Sequence, residues 1–354
     1  DKKLEYKLIV TGLHLVKKYG YTIREIKKGN FKIFSKFKMF DDNYFKNNDG
    51  SEMAKAIGIA FIELSKLIKK TKPDLILSGF DIAANFVISV AGAHMNIPVA
   101  HIQGGEVSGT IDESIRHAMS KFSNFHFTAN NETKRRLVKL GEVPKNIFAV
   151  GCPSIDALNS EKKIPNKRII NKFKINLNEE FLLIIQHPVT SELDKSSVQI
   201  TETLKAVKKS NMQHLIIFPN NDAGSKNILK VIKEAKLNFI STLTLSEYKT
   251  LLSGKMILVG NSSSGIHESA SFKVPVINIG TRQNGRRQPK NIINVNYNSA
   301  EISKAIIKAK SNKFKSKIKK IKNPYGDGNS SAKIIRIIKK LKLENFNTQK
   351  KLTY

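Results

Sequence analysis

The sequence predicts an α/β fold in two domains, each a parallel sheet covered by helices, with the two open sheets facing one another across a cleft. Short apolar, β-branched runs alternate with amphipathic helical stretches, as βαβ units require. The alternation restarts near the middle of the chain. With 354 residues, 40% of them hydrophobic and 25% charged, the chain can fill two cores of ordinary size.

In the first half, strands are predicted at 6–11, 75–78, 98–102, 125–128 and 147–150. Between the first two, residues 53–70 read as a helix with Ile57, Phe61, Leu64 and Ile68 on one face. A polar, lysine-rich stretch at 159–180, containing Pro165, has the composition of an interdomain connection. Strands then follow at 181–185, 214–218, 239–242, 256–259 and 274–279. The expected domains are 1–160, 161–328, and a closing helical segment at 329–354 that packs back on the first domain.

Composition excludes several function classes. The formal net charge is +32, yet only nine of the 61 basic residues are arginine. The lysines are spread along helices and loops without interleaved aromatics, which argues against specific nucleic-acid binding and leaves long-range attraction of an anionic substrate. Cys152 is the single cysteine, so no intramolecular disulfide is possible, and it reads as a small buried residue in a reducing, cytoplasmic setting. No cysteine and histidine spacing suits a metal, and neither a metal nor a cofactor is expected. No run approaches the roughly 18 apolar residues of a membrane span, and no leader pattern is present, so a soluble, unexported protein is expected.

Several motifs stand at the carboxyl ends of predicted strands, where α/β sheets bind ligands. Residues 260–268, Gly-Asn-Ser-Ser-Ser-Gly-Ile-His-Glu, follow a strand and open a helix. Small residues there let N–H groups and hydroxyls of Ser262 and Ser263 approach a phosphate, and a helix N-terminus adds partial positive charge. An unliganded serine-rich cap fits the same residues. Glu268, one turn into the expected helix, is spaced to accept both hydroxyls of a ribose. Arg282, after the next strand, supplies a planar guanidinium for a diphosphate. His187 is presented at a strand tip by Pro188, and Asn220 lies in the polar turn that ends the following strand.

In the first half, Asp81 ends one strand, and His101-Ile102-Gln103-Gly104-Gly105-Glu106 ends the next. Carboxylates at adjacent tips can share a pocket, and the glycines allow a ligand to approach closely. Asp112 begins a helix in which Arg116 shares its face one turn later, where a solvated surface ion pair is the plainer reading.

On the residues 101–117, 151–154, 186–190, 218–226, 260–268, 275–283 and 325–329, the chain resembles the hydrolysing UDP-N-acetylglucosamine 2-epimerases of sialic-acid and legionaminic-acid biosynthesis. The likeness spans about 5–340. It implies two Rossmann-like domains arranged as in GT-B glycosyltransferases, with UDP held mainly by the second. It places His187, Asn220, Ser262, Ser263, Glu268 and Arg282 on the nucleotide, and Asp81, the Gln103 position and Asp112 near the sugar. The implied chemistry is elimination of UDP across C1 and C2 to a glycal, followed by hydration to the free 2-epimer. A homodimer or homotetramer is also implied.

The sequence departs from the family at three places. Gln103 stands where the family carries a carboxylate, and an amide neither takes nor gives a proton at neutral pH. Glu106 is the expected substitute, which predicts that Gln103→Glu leaves activity equal or higher. Phe80-Asp81-Ile82 replaces Gly-Asp-Arg, losing an arginine. The family's opening strand and its arginine-containing glycine-rich loop would lie before Asp1. Three alternatives remain open: the same chemistry on UDP-diacetylbacillosamine or GDP-N-acetylglucosamine, a GT-B glycosyltransferase, and an inactive sugar-nucleotide binding protein.

Overall fold

The computed structural model describes residues 3–353. They form two compact units: the chain up to Val107 with Ile111–Pro153 and the residues from Gly328 onward, and Ser154–Asp327 together with Ser108–Thr110. The division falls between Pro153 and Ser154. The stretch at 159–180 is therefore folded into the second unit, where Ile169, Phe173, Ile175 and Leu177 enter its core.

In the first unit, β1 (Leu8–Val10) and β2 (Ile33–Lys36) pair in parallel as a two-stranded sheet. A separate parallel sheet runs β3 (Ile76–Gly79), β4 (Val99–Ile102), β5 (Phe125–Thr128) and β6 (Ile147–Ala149), in that order. Helix α1 (Gly50–Thr71) starts where the Asp49 side chain accepts the Glu52 N–H, a normal N-cap. Its buried stripe is Ala56, Ala60, Leu64 and Ile68, with Ile57 and Phe61 half-buried at its margin. That stripe packs on Val87 of α2 (Ala83–His94). Of the predicted face, Leu64 and Ile68 are buried as expected, while Ala56 and Ala60 take the centre in place of Ile57 and Phe61 where α1 packs on α2.

Helices α3 (Asp112–Phe122) and α4 (Asn131–Lys139) follow β4 and β5. The closing helix α5 (Ser330–Ile338) places Ile334 against Ala100, Phe125, Phe127 and Val150, and the Phe346 ring lies 5.0 Å from that of Phe125.

The second unit has a single six-stranded parallel sheet in the order β12-β11-β10-β7-β8-β9. Its strands are β7 (Phe181–Ile185), β8 (Gln213–Ile217), β9 (Phe239–Ile240), β10 (Met256–Gly260), β11 (Val276–Ile279) and β12 (Ile292–Val295). β7, β10 and β11 are buried along their whole length. Alternation divides β7 between two cores: Leu182 and Ile184 pack with Ile200, Leu204, Ile302 and Ile306, whereas Phe181, Leu183 and Ile185 pack with Ile169, Phe173, Leu251 and Leu252. Each such side chain stabilises the fold by roughly 1.5–3 kcal/mol.

From β7 the chain winds outward through β8 and β9, and from β10 it winds the other way through β11 and β12. The order reverses between the carboxyl ends of β7 and β10, the topological switch point where such sheets leave a ligand crevice.

Candidate active site

The switch point of the second unit is built around a side chain with no expected role. Asn261 is fully buried. Its Oδ1 accepts the His187 N–H at 2.7 Å and its Nδ2 donates to the His187 carbonyl at 2.9 Å, so one amide clamps the end of β7 to the end of β10. Its own carbonyl accepts Gln283 Nε2 at 2.8 Å and Arg282 Nη1 at 3.4 Å, which ties in the loop after β11. Gly260, just before it, has φ +129°, and a Cβ there would fall 2.1 Å from the Ile185 carbonyl oxygen, so no other residue fits this close approach.

His187 is fixed in tautomer as well as position. Its Nδ1 accepts the Asn220 N–H at 3.0 Å, which leaves the proton on Nε2. Burial, aided by the Arg282 charge, lowers its pKa to about 3. The ring is therefore a neutral hydrogen-bond donor suited to a phosphate or sugar oxygen. The Asn220 side chain donates to the Asp222 carboxylate.

Around Arg282, Thr281 Oγ1 donates to Glu192 at 2.9 Å. Gly280, at φ +72°, lies so close to the Tyr297 ring that a Cβ would fall 2.1 Å from it. Burial and the Glu192 charge push the Tyr297 hydroxyl up to about 12. The second unit also holds Gly109, whose N–H donates to the Arg282 carbonyl at 3.1 Å.

The serine loop differs from expectation in one respect. Ser262 and Ser264 hydroxyls lie 3.1 Å apart, and the helix they open runs only Ser264–His267. Glu268 is the cap that ends this helix rather than a residue within it, because the chain turns after a single turn. So few aligned peptides contribute little dipole, which leaves the loop's N–H groups and hydroxyls as the donors it can offer. Burial raises the Glu268 carboxyl, opposed by a hydrogen bond with Ser154.

In the first unit the organising side chain is Arg116, 2% exposed. Its Nη2 meets Asp81 Oδ2 at 2.5 Å and its Nη1 donates to the Glu106 carbonyl at 3.1 Å. The guanidinium thus reaches across to β3 and to the loop after β4, where helical spacing alone suggested Asp112. Asp112 is the first residue of α3 and is half-buried. Arg136, which the sequence reading passed over, donates to the Gly105 carbonyl at 2.6 Å. Two arginines therefore hold consecutive carbonyls of the Gly104–Glu106 turn. Gly105 is obligatory there: φ is +79°, and a Cβ would lie 2.5 Å from the Thr133 carbonyl oxygen.

Glu106 is buried within this turn. Gln103, also buried, has φ +63°. Its Nε2 donates to Cys152 Sγ at 2.8 Å and its backbone N–H to the Phe127 carbonyl at 2.8 Å. A carboxylate from Gln103→Glu would lose the donor facing sulfur and carry charge into a buried site, a cost in stability that stands apart from the expected effect on activity. Cys152 is buried, as its residue type suggested. Among the described residues no group of three His, Cys, Asp or Glu side chains could hold a metal, and no helix is long and apolar enough to cross a membrane.

Two Rossmann-like α/β units, with polar side chains gathered at strand tips and at a switch point, define a nucleotide-binding class of protein. The sequence profile of the UDP-N-acetylglucosamine 2-epimerases matches residues 1–339, and the chain belongs to that family. A Legionella pneumophila protein named UDP-N,N'-diacetylbacillosamine 2-epimerase (hydrolyzing) is 34% identical over 349 residues, covering 98% of this chain and 90% of that protein. A Neisseria meningitidis UDP-N-acetylglucosamine 2-epimerase is 33% identical over 311 residues, covering 86% of this chain and 80% of that protein. The crystal structure of UDP-GlcNAc 2-epimerase from Neisseria meningitidis bound to UDP-GlcNAc shares the fold, with TM-score 0.78 at 18% identity, covering 96% of this chain and 93% of that one.

Proposed function

We propose that the protein converts a UDP-activated N-acetylated amino sugar to UDP and the free 2-epimer by elimination and rehydration. A base removes the C2 proton while the C1–O bond breaks and its electrons leave with UDP, giving a glycal. Water then adds its hydroxyl to C1 and a proton returns to C2 from the opposite face. The observation that carries this reading is the buried Arg116, paired with the half-buried Asp81 and donating to the Glu106 carbonyl, in a chain whose family match runs over 1–339. It supports a reading in which Asp81 and Glu106 are acid–base groups, with Asp112 at the start of the same helix as Arg116.

In the second unit Arg282 and the Nε2–H of His187 stabilise the departing diphosphate, the serine loop adds donors, and Glu268 takes the ribose hydroxyls. The two relatives' names divide between UDP-N-acetylglucosamine and its diacetylated relative, so the substrate class is the UDP-linked 2-acetamido sugar.

The test is incubation with UDP-N-acetylglucosamine, UDP-N,N'-diacetylbacillosamine and GDP-N-acetylglucosamine without an acceptor. UDP release and the mass of the free sugar are followed, with the reaction repeated in heavy water. The expected result is free 2-epimer bearing deuterium at C2. Absence of nucleotide release from every donor overturns the reading, and release that requires an acceptor sugar makes the protein a glycosyltransferase.

A further inference from the structure

A buried polar cluster in the first unit takes no part in the reaction proposed above. It lies beneath the C-terminal end of α3. Glu142, 2% exposed, accepts His126 Nε2 at 3.0 Å and meets Lys121 Nζ at 3.2 Å. The closing segment of the chain reaches this cluster, where Asn124 Nδ2 donates to the Thr348 carbonyl at 3.0 Å. Two residues on, Lys350 Nζ donates to the Ser120 carbonyl at 2.8 Å, to the Ser123 carbonyl at 2.6 Å and to Glu142 Oε2.

An ammonium has three N–H donors and here meets three oxygens. Two belong to the end of α3, where helix carbonyls lack intrahelical partners and the negative pole lies. The third is a carboxylate. Ser120 links this end of the helix to the site, since its hydroxyl donates to the Arg116 carbonyl one turn back at 3.1 Å. α3 is therefore tied at two points, at its middle by Arg116 to Asp81 and the Glu106 loop and at its end by its last carbonyls to Lys350.

We infer that Lys350 is a positioning residue for the reaction: a tethered cation whose ammonium fixes the end of α3 against Glu142 and, through the rigid helix, sets Arg116, Asp81 and the Glu106 loop. This rests on the functional reading above. The cradle has the chemistry of a small monovalent-cation site. Removing the lysine head therefore leaves a place that free ammonium fills and that tetramethylammonium, without N–H donors and too bulky, does not.

The experiment compares wild type with Lys350→Met, which keeps the stem, Lys350→Ala and Lys350→Arg. UDP release is measured in ammonium chloride and in tetramethylammonium chloride at equal ionic strength, and hydrogen exchange is followed over 112–123. In tetramethylammonium, Lys350→Ala should lose roughly tenfold to a hundredfold in kcat with KM little changed, the scale of a misplaced catalytic group. Ammonium should restore most of that loss and slow exchange across α3, Lys350→Arg should retain more activity than Lys350→Met, and UDP binding should be unchanged in all three.

Wild-type kcat in Lys350→Ala overturns the inference, as does a loss that the two salts relieve equally or not at all. If Lys350→Ala does not fold, Lys350→Met supplies the same comparison. If wild type itself releases no UDP, the functional reading fails, and exchange over 112–123 with and without ammonium decides the positioning role by itself.

Discussion

In the second unit the polar tips of the sheet are tied chiefly by amides and an imidazole: the Asn261 amide against the His187 backbone, the Gln283 amide against the Asn261 carbonyl, and a neutral imidazole against the Asn220 N–H, with Arg282 adding a longer bond to the Asn261 carbonyl and Glu192 accepting from Thr281. In the first unit the equivalent ties are ionic, with Arg116 on Asp81, Arg116 and Arg136 on backbone carbonyls, and Lys350 on Glu142. On the proposed reading, the unit that would hold the diphosphate ties its sheet tips mostly through neutral groups, whereas the unit that would move protons holds Asp81 against a buried guanidinium.

The largest effects should come from breaking the ionic side. Arg116→Met leaves Asp81 and the Glu106 carbonyl without their shared donor. It should cut UDP release by at least about 10²-fold and lower the urea-derived stability by about 1–3 kcal/mol. Asp81→Asn should repeat the kinetic loss. A variant with wild-type turnover would show that the pair is only structural. Next in size, Asn261→Ala strips a partner from the His187 N–H and carbonyl at once, so calorimetry should show UDP-sugar affinity down about tenfold and stability down by about 1–3 kcal/mol. An affinity loss as small as that of a surface control would remove the clamp from the account of binding.

Glu106→Gln and Gln103→Glu sharpen the same contrast within one loop. Glu106→Gln should lower kcat by about 10²-fold while shifting the melting temperature little. Gln103→Glu should cost stability of about 1–3 kcal/mol through its buried contact with Cys152. Rates and melting curves for the two, measured together, separate chemistry from packing, and a reversed pattern would exchange their roles.

The smallest effect concerns pH. Burial lowers the pKa values of His101, His126 and His187, the last to about 3. The unfolded chain protonates these rings near their ordinary pKa of about 6.5 and the folded one does not, so stability is full above that value and falls as pH drops below it. Glu142 acts at lower pH. Burial raises its carboxyl, but bonds from His126 and Lys350 outweigh this and hold it at about 2. Its contribution is intact above the unfolded value of 4.5 and is lost between there and about 2. Urea midpoints should therefore fall between about pH 7 and pH 5, while affinity for a UDP-sugar, whose diphosphate diester does not titrate there, stays flat. An affinity that rises as pH falls through this window would mean that His187 binds as a cation.

The legible parts of the fold were those buried on both sides. Phe181–Ile185 is a continuous apolar run and Phe125–Thr128 carries two phenylalanines and a β-branched residue between polar turns, and both are strands over those residues. The missed strands, Ile33–Lys36 and Ile292–Val295, are half-exposed and interrupted by polar residues, so their pairing comes from a neighbouring strand rather than from their own pattern. In the site, residue types at strand tips were readable, but partners were not. Helical spacing offered Asp112 to Arg116, and a carboxylate 35 residues away took it. Asn261 looked like one more loop residue because the backbone it clamps lies 74 positions earlier.

The return of the chain's last segment to the first unit also bears on the order of folding. The second unit is drawn almost wholly from Ser154–Asp327 and can fold as soon as that stretch has emerged from the ribosome. The unit begun first is completed last. Its β4 and β5 wait for Ile334 and Phe346, and the end of α3 waits for Lys350. A nascent chain halted just short of those residues would carry a finished second unit while the first unit still lacked the contacts that cover β4, β5 and the end of α3.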